Sequence, residues 1–200
     1  DKVILMMKET PHDFFLTHPD NSYIRKMNRP TIVEFDSGNE YSGQGVVANT
    51  WPEYTMKRWG SYINCPNVTG YVARTDRYGD TSIVGTANEI QLYALKRMTE
   101  EQTVSPMQIY NEFITSRYGE DALLPIRKAF QNAYDIVTSV FYTLGTNLTD
   151  HSSLNYENNK WGYSRHVSGR WIDPPMVLVK HDINKTFHYW NCLLYTSPSP

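Results

Sequence analysis

Three short apolar segments, each followed directly by polar residues, mark the first part of the chain. They span 3–7, 31–35 and 68–73, and helix-compatible sequence lies at 52–61 between the last two. Continuous apolar runs of this length are typical of strands buried in a parallel sheet. The pattern therefore predicts an α/β region in which parallel strands alternate with loops and helices.

The polar residues that follow each segment lie at the carboxyl end of the predicted strand. Catalytic groups of (β/α)8 barrels lie at that end. Doubly wound sheets share the tendency, so this pattern alone does not choose between the two folds. The sequence contains no glycine-rich GxGxxG or Walker A loop that would favour a nucleotide-binding sheet.

From residue 86 onward the pattern becomes helical. Thr86 and Glu89 fit a capping box, and Ser105 followed by Pro106 is a second start signal. The longest helix is predicted over 121–144, closed by Gly145. Its apolar stripe is predicted to be core and comprises Ile126, Phe130, Ala133, Tyr134, Val137, Val140, Phe141 and Leu144.

Composition narrows the function classes. Aromatic residues make up 14% of the 200 residues, and aromatic rings line carbohydrate sites as well as filling cores. A net charge of −2 without a basic block argues against nucleic acid, and no apolar run is long enough for a transmembrane helix. Cys65 and Cys192 form neither a disulfide framework nor a metal motif, and His12 and His18 have no metal spacing with a nearby ligand, so no metal is expected. No cofactor is expected either.

The two ends of the sequence look unlike natural domain ends. The chain opens directly at a core strand, which we interpret as a cut end, so the compartment stays undetermined. Residues 191–200 resemble translated sequencing adapter, with a natural Ser/Pro tail as the alternative. We expect a fragment that is poorly stable and inactive on glycosides by itself, because a few barrel strands leave open edges.

Two carboxylates stand out as candidates for chemistry. Asp13 and Glu40 each follow a predicted strand, about one β–loop–α–β unit apart. Glycoside hydrolysis needs carboxylates at such a mouth, although exposed loop acids and helix caps fit the same positions. Lys8 ends the first strand and is suited to bind a sugar carboxylate or to hold an acid ionised. Arg74, Asp76 and Arg77 close the third predicted strand, and such a charge cluster is typical of a salt-bridged rim.

Two segments resemble the α-glucuronidases of glycoside hydrolase family 67. The segment VILMMKETPHDF at 3–14 is similar to that family's V-I-L-x-x-K-N-G-P-x-D-F, and EFDSGNEYSGQ at 34–44 is similar to E-F-x-x-x-x-E-Y-x-G-Q. The stretch 70–76 resembles the family's next strand, and 86–119 resembles the helices that follow. The match covers about residues 1–145 and is most specific in the first 45.

The resemblance implies a fold and a reaction. Residues 1–85 would be the last strands of a (β/α)8 TIM barrel, and 86–190 an α-helical region through which a homodimer could form. Asp13 and Glu40 would activate the hydrolytic water, and Lys8 would contact the uronic acid. The general acid would lie on an earlier strand. The implied enzyme inverts stereochemistry and removes (methyl)glucuronic acid from xylan-derived oligosaccharides.

The sequence also departs from the family. Glu9 and Thr10 replace Asn-Gly, His12 replaces an aliphatic residue, and the aromatic stretch 155–190 has no counterpart. Three alternatives therefore stay open: a glycosidase of another cell-wall glycan, a non-catalytic carbohydrate-binding barrel, and a lyase or isomerase acting on uronic acids.

Overall fold

A three-stranded parallel sheet forms the first part of the fold. The computed structural model describes residues 3–11, 13–43, 47–76 and 82–142. Its strands are β1 (Leu5–Lys8), β2 (Thr31–Asp36) and β3 (Val68–Arg74), in the spatial order β1-β2-β3. Lys8 pairs with Glu34, and Asp36 pairs with Arg74. The predicted parallel strands are confirmed, and each extends one residue further than its apolar run because a charged residue still joins the sheet.

The two faces of the sheet have different surroundings. Val33 and Phe35 of β2 are buried and pack against Trp59 of helix α1 (Pro52–Gly60). Met6 of β1 is 62% exposed, and Ile4, just before this strand, is 59% exposed. Helices thus cover one face, whereas part of the apolar surface of β1 is open among the described residues.

Four further helices follow the sheet. They are α2 (Ile90–Glu100), α3 (Pro106–Tyr118), α4 (Leu123–Gln131) and α5 (Ala133–Phe141), with short 3-10 turns at Ile24–Lys26, Ala87–Glu89 and Glu120–Ala122. Met56 of α1 shares a core cluster with Ile90 of α2 and Ile114 of α3. The helical part therefore packs directly on the helix that covers the sheet. None of the described helices is long and apolar enough to cross a membrane.

One of the two predicted helix starts is confirmed. The Ser105 hydroxyl accepts a hydrogen bond from the Gln108 backbone N–H, and the Gln108 side chain accepts from the Ser105 N–H, which completes a capping box. The box predicted at Thr86 is wrong. The Thr86 hydroxyl donates instead to the carbonyl of Ile83. A 3-10 turn separates Thr86 from α2, so its side chain is not positioned to cap that helix.

The single helix predicted over 121–144 is divided at Asn132. The Asn132 N–H donates to the Ala129 carbonyl at 3.3 Å, an i to i−3 contact that tightens the chain between α4 and α5. Much of the predicted stripe is nevertheless core, since Phe130, Ala133, Val137 and Phe141 are buried. Val140 is 40% exposed, contrary to the stripe. Leu144, the aromatic stretch 155–190 and the tail 191–200 lie outside the described residues.

Candidate functional site

Lys8 and Asp13 form an ion pair where β1 ends. Lys8 Nζ lies 2.6 Å from Asp13 Oδ1, which also accepts the backbone N–H of Phe14 at 3.1 Å. Asp13 Oδ2 accepts the Tyr41 hydroxyl at 2.6 Å. The side chains of Lys8 and Asp13 are 35% and 24% exposed. A dissolved substrate can therefore reach both groups.

Glu40 forms the second ion pair, where β2 and β3 end. Arg74 Nη1 lies 2.7 Å from Glu40 Oε2, and the same guanidinium pairs with Asp76 at 2.9 Å. The side chain of Glu40 is only 5% exposed, so its carboxylate lies deeper than that of Asp13. The predicted rim interaction between Arg74 and Asp76 is confirmed, but Arg74 has the additional role of binding Glu40.

One cation of each ion pair contacts the ring of Phe14. Lys8 Nζ lies 4.8 Å from the ring centroid, and the Arg74 guanidinium carbon lies 5.2 Å from it. Both distances are within the range of cation–π attraction. Phe14 is buried, so it anchors both cations at the carboxyl end of the sheet. Lys8 and Arg74, the cation partners of Asp13 and Glu40, thus lie against one buried ring.

The loop after β2 positions Glu40. Asn39 has a φ of 59°, a left-handed conformation that asparagine tolerates better than most residues. Asp36 Oδ2 accepts the backbone N–H of Glu40 at 2.6 Å, which closes the turn. The side-chain amide of Gln91, in α2, donates to Asn39 Oδ1 at 3.0 Å. The helical part of the chain therefore holds the loop that carries Glu40.

The surroundings of Asp13 favour its ionised form. Partial burial by itself would raise the pKa of Asp13, but hydrogen bonds from Lys8 and Tyr41 outweigh it and hold that pKa below its usual value. The side chain of Asp13 is 24% exposed, so water can reach the ionised carboxylate. Asp13 is accordingly the better placed of the two predicted carboxylates for the role of base.

Three residues of this site were not predicted as functional from sequence. Phe14 and Tyr41 appeared only as members of the two segments similar to family 67, and Arg74 was interpreted as rim. Arg74 could have been found from the sequence, because it ends the strand that comes after Glu40. Neighbouring parallel strands end at the same edge, so a cation there can reach that glutamate. Nothing local to Tyr41 indicates its bond to Asp13, because 28 positions separate them.

A metal site and a serine nucleophile activated by histidine find no support among the described residues. The described residues contain no group of three or more His, Cys, Asp and Glu side chains that could hold a metal ion. Ser42 is buried, and its hydroxyl donates to Asn49 rather than to a histidine.

Comparisons with known proteins do not assign the chain to a family. No family model matches the sequence, and no curated protein is significantly similar to it. The arrangement of the side chains is therefore the main support for a function.

Proposed function

We propose that this chain contributes the water-activating side of the active site of an inverting glycoside hydrolase. The substrate class is that of α-glucuronidases, which remove (methyl)glucuronic acid from xylan-derived oligosaccharides. The observation that supports the proposal best is that the ion pairs Lys8–Asp13 and Arg74–Glu40 lie at the carboxyl ends of parallel strands, with both cations against Phe14.

In this proposal Asp13 takes a proton from the attacking water. Despite its partial burial, hydrogen bonds from Lys8 and Tyr41 hold its pKa below the usual value, so the carboxylate stays ionised at neutral pH. A lowered pKa makes it a weaker base, so the proposal relies on its position beside the water to promote the proton transfer. Glu40, which lies deeper than Asp13, binds the same water or orients Asp13. A general acid on the opposite side of the sugar would protonate the leaving oxygen, roughly 6.5–9.5 Å from the base in an inverting enzyme.

Lys8 gives the proposed selectivity for an acidic sugar. An ammonium group has three N–H donors, and the described contacts of Lys8 use one of them for Asp13. The remaining donors can bind the carboxylate of a uronic acid while Asp13 stays ionised. A neutral sugar lacks that carboxylate and gains no such charge-assisted bond.

The (β/α)8 barrel is part of the proposal. Consecutive parallel strands in sequential order, with helices on one face, are what a segment of such a barrel has. The exposed apolar side chains Ile4, Met6 and Val72 support it further, because the inner face of a barrel strand carries residues that pack in the barrel interior.

Hydrolysis of α-D-glucuronosyl fluoride by the 200-residue chain tests this function. Fluoride leaves without a general acid, so the test depends only on the water-activating side. An ordinary glycoside should not react with this chain by itself, because its leaving group needs the general acid. The fluoride should be released with inversion at the anomeric carbon, which NMR detects as the first-formed β-anomer. The matched control is Glu53→Gln, a substitution on α1 that leaves Lys8, Asp13 and Glu40 unchanged. Release no faster than the uncatalysed reaction would contradict the proposal.

A non-catalytic carbohydrate-binding protein is the second candidate. It is favoured by one observation, that both carboxylates are already engaged by cations, Asp13 by Lys8 and Glu40 by Arg74. Such a protein would bind glucuronate but release no fluoride. Binding of glucuronate observed by ligand NMR together with no turnover would favour this candidate.

A further inference from the structure

A second pair of carboxylates lies in a cleft beside the proposed site. Glu9 follows Lys8 and is 5% exposed, and Asp36 ends β2. Glu9 Oε2 and Asp36 Oδ1 are both buried, and neither accepts a hydrogen bond from any residue that the structure describes. A buried carboxylate oxygen without a partner costs free energy, so a group that donates to it would be bound favourably.

The cleft has the size and the lining of a site for one polar group. Its volume is about 20 Å³, room for one water-sized group. Glu9 and Asp36 line it together with the amides Asn39 and Gln91 and the aromatic rings Phe14, Trp51 and Tyr54. Polar groups set against aromatic rings are typical of sites that bind sugar hydroxyls.

The nearby cations Arg58 and Arg74 do not donate hydrogen bonds to Glu9 Oε2 or Asp36 Oδ1. Arg58 Nε lies 4.0 Å from Glu9 Oε2, beyond hydrogen-bonding distance. The Arg58 guanidinium instead donates to Asp20 at 3.0 Å and to the carbonyl oxygens of Leu16 and His18. Arg74 is bound to Glu40 and Asp76. The two open oxygens therefore remain available to a ligand.

The chemistry of the pair selects a neutral hydroxyl. Burial raises the pKa of Glu9 to about 8 and the pKa of Asp36 to about 7. A protonated carboxyl donates one hydrogen bond and its neighbour accepts one, which a single hydroxyl group satisfies. A carboxylate or phosphate would place further negative charge beside two acidic groups and is disfavoured.

We propose that Glu9 and Asp36 form a subsite that binds one hydroxyl group of a neutral pyranose, beside the Lys8 position for the uronic acid. The proposal rests on the proposed function for the identity of the ligand as a carbohydrate. It adds that two parts of one oligosaccharide are recognised by different chemistry. Lys8 binds the acidic residue through charge, and the Glu9–Asp36 subsite binds a neutral residue such as xylose through a hydroxyl.

The test uses the full chain and methyl β-D-xylopyranoside as the probe, with binding followed by saturation-transfer NMR. One of the three monodeoxy analogues should lose at least about tenfold in affinity, the cost of one hydrogen bond to a buried carboxyl group. The other two should bind nearly as the parent does. Because the protein is unchanged in this series, the result does not depend on the folding of a variant.

Two substitutions complete the test. Glu9→Gln preserves shape and a donor and should retain most of the xyloside affinity, whereas Glu9→Ala should lose at least about tenfold. Thr103→Ala, at an exposed residue that does not line the cleft, should leave xyloside binding unchanged. Equal binding of all three deoxy analogues, or wild-type affinity in Glu9→Ala, would show that the cleft holds a water molecule only and would overturn the proposal.

The outcomes separate this subsite from the proposed function. Xyloside binding with the expected deoxy pattern, but without fluoride release from glucuronosyl fluoride, would retain the subsite and reject the hydrolase. Fluoride release with no selective loss among the deoxy analogues would retain the hydrolase and reject the subsite.

Discussion

The hydroxyl of Tyr41 donates a 2.6 Å hydrogen bond to Oδ2 of Asp13, so the loop after β2 holds the carboxylate that follows β1. Tyr41 is itself held from the helical region, because the Tyr142 hydroxyl donates to the Tyr41 carbonyl at 2.8 Å and accepts from the Leu16 N–H at 3.1 Å. The position of Asp13 therefore depends on contacts from two distant parts of the chain, the loop after β2 and the residue that follows α5.

Removal of the carboxylates should reduce turnover more than binding. Asp13→Asn and Glu40→Gln keep the shape of each side chain but remove the group that accepts the proton. We expect each to lower the rate of glucuronosyl fluoride hydrolysis by about 10²–10⁴-fold. If both act on one water, the double variant should be little worse than the slower single variant. Near-wild-type rates in both single variants would place the base elsewhere.

Replacement of Tyr41 by phenylalanine should raise the pKa of Asp13. The hydroxyl stabilises the ionised carboxylate, so its loss favours the protonated form, while the bond to Lys8 remains. The acidic limb of the pH–rate profile should move to higher pH, and an NMR titration of the Asp13 carboxyl carbon measures the shift directly. Tyr23→Phe, a change at an exposed ring, is the control and should leave both unchanged.

Lys8→Ala should discriminate between charged and neutral substrates. The substitution removes the proposed partner of the uronic acid, so the KM for glucuronosyl fluoride should rise by about tenfold or more, with a much smaller change for glucosyl fluoride. Lys8→Arg keeps the charge and should recover part of the loss. Equal effects on the two substrates would argue for a general glycosidase without selectivity for uronic acids.

Stability should fall as pH rises through the neutral range. Burial raises the pKa of Glu9 from 4.5 to about 8, against the positive charge of Arg58 and with the negative charges of Asp36 and Asp20 adding to the rise. Between these pH values the folded protein keeps a proton that the unfolded chain has lost. The free energy of unfolding should therefore decrease, by at most about 1.4 kcal/mol per pH unit for this group.

Urea denaturation at pH 5.5 and 8.5 measures this dependence. Asp36 acts in the same direction, since burial raises its pKa from 3.8 to about 7. The lowered pKa of Asp13 has the opposite sign, but its contribution is lost only in acid, below the usual 3.8. Glu9→Gln should flatten the profile. A wild-type midpoint that is the same at both pH values would contradict the burial of ionisable carboxyls.

Loss of the cap on α3 should destabilise the helical part. Ser105→Ala removes the acceptor of the Gln108 N–H and should cost about 1 kcal/mol, within a range of roughly 0.5–2. Thermal denaturation monitored by circular dichroism measures the change. Thr103→Ala, which removes a hydroxyl bound only to the exposed Glu101 side chain, is the matched control and should have little effect.

Local sequence patterns determined the strands and most of the helices. The continuous apolar runs at 31–35 and 68–73 lie within β2 and β3, because strands with helices on one face bury alternate side chains and tolerate apolar residues on the other. The cap at Ser105 could be predicted because its partner is three residues away. The end of the helix near Asn132 could not, since the apolar stripe continues on both sides of it.

The contacts that make the site were decided only by the tertiary structure. Glu40 binds Arg74 across 34 positions, Asp13 binds Tyr41 across 28, and both cations meet at Phe14. The sequence by itself predicted that polar groups end each strand and indicated Lys8, Asp13 and Glu40. The register of the strands and the packing of α1 and α2 decide which carboxylate each cation binds. They also decide which carboxyls become buried, as Glu9 does. A local pattern of apolar and polar residues specifies neither the register nor the packing.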